Sequence, residues 1–202
     1  MAADYKLPLI VNKRVRFFDG QFLQDQDFVD EQKYHLGLQN QHQRTLHVAG
    51  VVEGLTTYRT QNQTQLQVNK GLAIDADGRM IILTKRSDVL DLPSGDCWLY
   101  IAYHQVPDDL PTTTAGVEEE TRWRDEPYIF IAVGDSPLGI DDVYDGPDWN
   151  GNLESTDGPP PPVLLAKLNI ANDGTITADE TVRSYSGLRL PARSIFAGPL
   201  PS

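Results

Sequence analysis

The chain has 202 residues, 40% hydrophobic and 23% charged, enough for one domain with a sizeable buried core and no apolar run near the ~20 residues of a membrane-spanning helix. Its formal net charge of −12 is localised: between Pro107 and Pro162, 14 acids face only Arg122 and Arg124, while the rest balances at 15 acids and 15 bases. Such an acidic fringe repels nucleic acid and anionic membrane surfaces and argues against both as partners.

The opening MAADYKLPLI lacks the charged and apolar regions of a signal peptide, so synthesis in the cytoplasm is expected. From about Asp25 to His47 there is no proline and one glycine, which predicts a helix over 25–47. Asp25 or Asp27 can cap it, Arg44 and His47 suit its C-terminal end, and Gly50 can stop it. Its apolar stripe is thin: Phe28, Leu38 and Leu46, with His35 and His42 at heptad-like spacing from Phe28. Such a helix packs one face on a sheet and offers its exposed amides, Gln39 among them, to solvent or a partner protein.

The remaining chain reads as strands. QLQVNKGLAID alternates Leu66, Val68, Leu72 and Ile74; the turn residues Asp75 to Gly78 and then RMIIL complete a hairpin signal. CWLYIAYHQV (97–106) and PYIFIAV (127–133) are aromatic and β-branched enough for central strands, and VLLAKLNI (163–170) with Asn172 to Gly174 and TIT forms a second hairpin. Cys97 is the single cysteine, read as a quiet buried thiol. The expected fold class is mainly β, an antiparallel β-sandwich spanning 1–190 with one N-terminal helix.

Two long acidic stretches, 107–126 and 134–162, interrupt the strands as loop insertions, the second stiffened by Pro159 to Pro162. The tail after 190 is too proline-rich for helix yet carries Ile195 and Phe196. As an extended arm over 191–202 it can wrap its own sandwich or pair with a neighbouring subunit.

Chemistry is sparse. Glu31 and His35 have the spacing of half a metal site, but no second pair or cysteine set completes a sphere, so hydrogen-bonded helix histidines are the expectation. Asp148, Asn150, Asn152 and Glu154 alternate as calcium ligands can, but Leu153 stands where an EF-hand loop needs glycine, which favours a solvated acidic loop. No serine elbow or phosphate-cradling glycine loop is present, and the loop carboxylates would be hydrated, so neither catalysis nor a cofactor is expected. Trp123, between two arginines, and Tyr144 and Trp149 in the second insertion are residue types that anchor protein interfaces. The same aromatics can stack on sugar rings, and the bland alternative is that they fold back over the sandwich.

The stretch RFFDGQFLQDQDFVDEQKYHLGLQNQHQRTLHVAGVVEGL followed by LQVNKGLAIDADGRMIIL resembles a module of contractile tails and phage-tail-like injection systems. The matching residues are Phe18 to Leu23, Asp27, Phe28, Glu31, Gln32, Tyr34, His35, His47, Gly50 to Leu55 and Gly71 to Arg79; Val48 and Ala49 depart from the pattern. More distantly, the chain is similar to the N-terminal shell domain of the trimeric type VI secretion baseplate subunit and to phage receptor-binding proteins. The resemblance implies a non-enzymatic structural adaptor in an assembled particle, docking a baseplate wedge, a fibre or a neighbouring tail protein, as a homo-oligomer, a trimer by analogy. Its partner-binding residues are expected to be Phe28, His35, Gln39, His42, Trp123, Tyr144 and Trp149. A glycan- or receptor-binding module of a tail fibre is the alternative, and a hydrolase the third reading.

Overall fold

A computed structural model describes residues 13–59, 65–93, 95–109, 122–133 and 162–189. Tyr144, Trp149, the alternating 148–154 stretch, the tetraproline up to 161 and the arm at 191–202 lie outside the described residues. The described protein is mainly β with a single helix, α1 (Asp25–Leu46), as the sequence predicts. Its strands are β1 (Gly50–Gly54), β2 (Thr57–Arg59), β3 (Leu66–Val68), β4 (Gly71–Ile74), β5 (Met80–Leu83), β6 (Gly95–Ala102), β7 (Gln105–Asp108), β8 (Arg122–Asp125), β9 (Tyr128–Val133), β10 (Val163–Ile170) and β11 (Ile176–Asp179).

All strand pairs are antiparallel, in a three-stranded sheet of order β1-β4-β5, a four-stranded sheet of order β11-β10-β6-β9, and the two ribbons β2-β3 and β7-β8. The main core lies between the first two sheets: Val51, Ala73 and Ile81 from one meet Leu99, Ile101, Leu165, Leu168 and Ile176 from the other, with Leu66 and Val68 of β3. Alternation along β6 turns Cys97, Leu99 and Ile101 inward and Tyr100 and Ala102 outward. On that outer face Tyr100 and Phe130 stack at 5.4 Å between ring centroids, and Tyr128 stacks on Phe130 at 5.6 Å. The four-stranded sheet is therefore apolar on both sides.

The period-2 run at 66–74 divides at Asn69 and Lys70. Its first half pairs with β2 and its second half makes the expected hairpin with β5, Gly71 opposite Leu83 and Ile74 opposite Met80. The Asp75–Arg79 turn is held by a buried carboxylate: Asp75 Oδ1 accepts from the backbone N–H of Asp77 (2.9 Å) and Arg79 (2.8 Å), and Oδ2 from Arg79 Nε (2.8 Å). Burial pushes the Asp75 carboxyl above its ordinary range, against the pull of the Arg79 guanidinium.

The stretch 107–126 is strand-paired at its base: β7 and β8 set Pro107 opposite Trp123 and Asp108 opposite Arg122. The expected adjacency of the strands it connects holds, since β6 and β9 are neighbours. Arg183, nearly buried, clamps the C-terminal segment to the sandwich: its Nε donates to the Leu165 carbonyl (2.9 Å) and its Nη2 lies 3.1 Å from Glu180 Oε2. Glu180 Oε1 in turn accepts from the N–H (2.5 Å) and hydroxyl (2.7 Å) of Thr57.

Candidate docking surface

Helix α1 is capped by Gln24, not by Asp25 or Asp27: Asp27 reaches back one turn and accepts the Gln24 N–H at 3.0 Å, the return arm of a capping box. Gly50 does not stop the helix. His47 caps it in extended backbone, and the C-terminal segment takes over, with Val48 N–H donating to the Gly187 carbonyl (2.8 Å) and Arg189 N–H to the Leu46 carbonyl (2.7 Å). Gly50 instead starts β1 where a side chain has no room, a Cβ falling 2.4 Å from the Ser184 carbonyl oxygen.

The helix sits lightly on the body. Gln43 is its one buried residue. Gly78 of the β4-β5 turn abuts the backbone of Asn40 and Arg44, and Gln39 Nε2 reaches Met80 Sδ at 3.5 Å. At 100° per residue, the face turned away from Asn40 and Arg44 carries Phe28, Glu31, His35, Leu38, His42 and Leu46. Of these only Glu31 is partly buried, and Phe28, Leu38 and Leu46 keep 54%, 41% and 46% of their surfaces exposed. His35 Nε2 lies 3.0 Å from Glu31 Oε1, and among the described residues no third acid, histidine or cysteine joins them as a metal-binding group.

The expected helix residues Phe28, His35 and His42 thus share one outward face, and Gln39 stands at its border. Sequence reasoning underrated the segment before the helix. Gly20, at φ 83°, completes a turn closed by Gln21 N–H donating to the Phe18 carbonyl, and Phe17, Phe18, Phe22 and Leu23 are all exposed around it. Three phenylalanines within six residues were the available signal. Exposed apolar groups in such succession make this segment a candidate contact surface.

Trp123 is exposed on β8, its ribbon edged by ion pairs of Arg122 with Asp109 and of Arg124 with Asp108 and Glu126. The other charged clusters brace the fold: Asp75 and Arg79 close a turn, and Arg183 and Glu180 pin the C-terminal segment. Cys97 is fully buried, its thiol pushed up to about 11 by burial and by Asp96.

No family model matches the chain, and no curated protein matches it. Among solved structures, it is similar to a chain of a type VI secretion system TssK–TssF–TssG baseplate subcomplex, with TM-score 0.51 and 13% identity over 83% of this chain and 60% of that one. Weaker likenesses are to a chain of the baseplate complex from the type VI secretion system (TM-score 0.48, 12% identity, 83% and 57% covered) and to TssK (TM-score 0.45, 12% identity, 83% and 40% covered). The first likeness shows a shared fold with a baseplate chain. The protein spans about 60% of that chain's length.

Proposed function

We propose that this protein is a non-enzymatic structural subunit of a contractile tail or injection-system baseplate, docking a wedge, fibre or neighbouring tail protein. The observation that carries the reading is the outward face of α1, where Phe28, Leu38 and Leu46 stand exposed between histidines and amides. The face has the make-up of a helix-in-groove or helix-on-helix contact, with apolar anchors and a polar rim of histidines, amides and Glu31. Phe17, Phe18 and Phe22 extend it, and Trp123 on its ribbon supplies a second anchor of a type common at interface centres. The fold shared with a baseplate chain supports the same placement at a coarse level. Tyr144 and Trp149 belong to the proposal by residue type alone, and assembly as a trimer by resemblance alone.

The test is co-purification with tail proteins encoded beside it, comparing wild type with a Phe28→Asp, Leu38→Asp double variant and with Trp123→Ala. The reading requires a defined complex that the helix variant loses by at least about 10-fold in affinity, as expected when apolar anchors are replaced by charge. A protein that binds none of its neighbours and stays strictly monomeric by light scattering defeats it. Binding to a glycan lost in Trp123→Ala would favour the receptor-binding module instead.

A further inference from the structure

In the three-stranded sheet Val51, Ala73 and Ile81 point into the core, so by register Leu72 and Ile82 point outward, with Val52 beside them in the bulge of β1. Ile74 and Met80 share this outer face at its helix end, where Gln39 of α1 reaches Met80. Farther along, Val52 keeps 43% and Ile82 37% of its surface exposed, and Leu72 is half-buried. An apolar patch therefore lies open on the sheet, beyond the reach of the helix contact.

We propose that this patch receives the N-terminal half of α1 from a second copy of the chain, with Phe28 seated among Val52, Leu72 and Ile82. Charge selects that occupant. The first turns of α1 surround Phe28 with Asp25, Asp27, Asp30 and Glu31. The open end of the sheet is basic: Gly71 pairs with Leu83, so Lys70 and Lys85 flank the two strands at the same end, both exposed, and Arg86 follows. Glu53 beside Leu72 and Asp88 offset two of these three cations, which leaves this end positive in a chain of net charge −12. Acids around an apolar anchor thus meet cations around an apolar patch.

The chain's own helix does not make this contact. Phe28 lies ~16 Å along the helix axis from Gln39, Ile82 ~7 Å along β5 from Met80, and both are exposed in the same chain. The two surfaces differ, so the contact between copies is heterologous: a pair exchanges helices, or several copies close into a ring. The inference rests on the reading of α1 as a docking face and deepens it, since the neighbouring tail protein that meets Phe28 is another copy. Leu38, Leu46 and Trp123 are left to a different subunit.

The probe is a mixture of two full-length variants with one added cysteine each, Phe28→Cys and Ile82→Cys, set beside a control mixture of Phe28→Cys with Val133→Cys. All three positions are exposed, and Cys97, fully buried with its thiol pushed up to about 11, does not compete. Under mild oxidation a disulfide between positions 28 and 82 is expected to form at least about 10-fold faster than one between 28 and 133. Equal rates overturn the proposal. So does a 28–28 disulfide that outpaces both, which would put helix against helix. Light scattering supplies the other readout. Wild type should associate, Lys70→Glu with Lys85→Glu should weaken association at least about 10-fold, and adding Asp30→Lys with Glu31→Lys to that chain should restore it. A wild type that stays monomeric yet binds a co-encoded tail protein through α1 refutes this inference alone. One that does neither defeats the docking reading as well.

Discussion

The Cα of Gly78 lies against the main chain of Asn40 so closely that a Cβ there would stand 2.1 Å from the Asn40 carbonyl oxygen and 2.8 Å from the Arg44 nitrogen. This contact seats the helix on the β4-β5 turn, and glycine is required twice over because its φ is 83°. Gly78→Ala must strain a left-handed backbone, at roughly 1–2 kcal/mol, and force helix and turn apart, at about 1–3 kcal/mol more. Both opposing atoms are backbone, so no rotamer change relieves the clash. A lowered urea midpoint together with faster proteolysis within 25–46 is expected. A midpoint within error of wild type would mean that the helix is not seated here.

The clamp at Arg183 supports a second prediction. Its side chain is 1% exposed and its counter-charge, Glu180, is 29% exposed. Glu180→Ala leaves a buried guanidinium without its anion and strips Thr57 of the acceptor for its N–H and hydroxyl. A loss of about 2–3 kcal/mol is expected, below the full cost of breaking a wholly buried pair because water reaches the carboxylate. Glu180→Gln, which keeps an acceptor for Thr57, should recover part of it. Equilibrium urea unfolding of the two variants measures the difference. Equal losses would show that the charge alone matters.

The readable elements were those with local causes. The span of α1 follows from a stretch without proline, and the hairpins at 75–79 and 171–175 from their turn residues. The missed features are decisions made at a distance. Leu66–Ile74 reads as one alternating strand, yet β2 claims its first half and β5 its second, and nothing local marks the division at Asn69 and Lys70. The end of the helix depends on Gly187 and Arg189, well over a hundred residues away. Strand β8 was hidden in a stretch read as loop, because its four residues are all exposed and lack the apolar alternation that marks a buried face. Phe28, His35 and His42 could be put on one face by spacing alone, but only the position of Gly78 shows which way that face points.

Acid should destabilise the fold. Asp96 is held below its ordinary value by hydrogen bonding from Asn169 and by Lys167, Asp173 by the Thr175 N–H, and Asp179 by the Thr181 hydroxyl and N–H. Depressed carboxyls contribute stability that is present above their unfolded value near 3.8 and lost as pH falls through the folded ones. Asp75 works in the opposite sense. Raised by burial, it contributes most while protonated, and that contribution is lost as pH rises through its folded value. The destabilisation caused by Asp75→Asn should therefore shrink between pH 3 and pH 7, followed by urea midpoints at each pH. A cost that grows with pH would place the pull of Arg79 ahead of the burial.

Cys97 gives a probe of how tightly the two sheets close. It is fully buried on the inner side of β6, paired with Val133 of β9 and Leu168 of β10. Its thiol is pushed up to about 11 by burial first and by Asp96 second, so thiolate is scarce at pH 8 and reagent is excluded as well. Modification by a thiol reagent in buffer should consequently run no faster than global unfolding, and it should become immediate in denaturing urea. Raising the pH to 9 should accelerate labelling of the urea-unfolded chain, whose thiol titrates near its ordinary value of 9.0, far more than labelling of the folded chain. Opening of the β6-β9 pair without global unfolding predicts the reverse, a labelling rate that exceeds the unfolding rate and ignores mild denaturant. The stacked rings of Tyr100 and Phe130 across this strand pair oppose such local opening, so Phe130→Ala should speed labelling of Cys97 more than it lowers the urea midpoint.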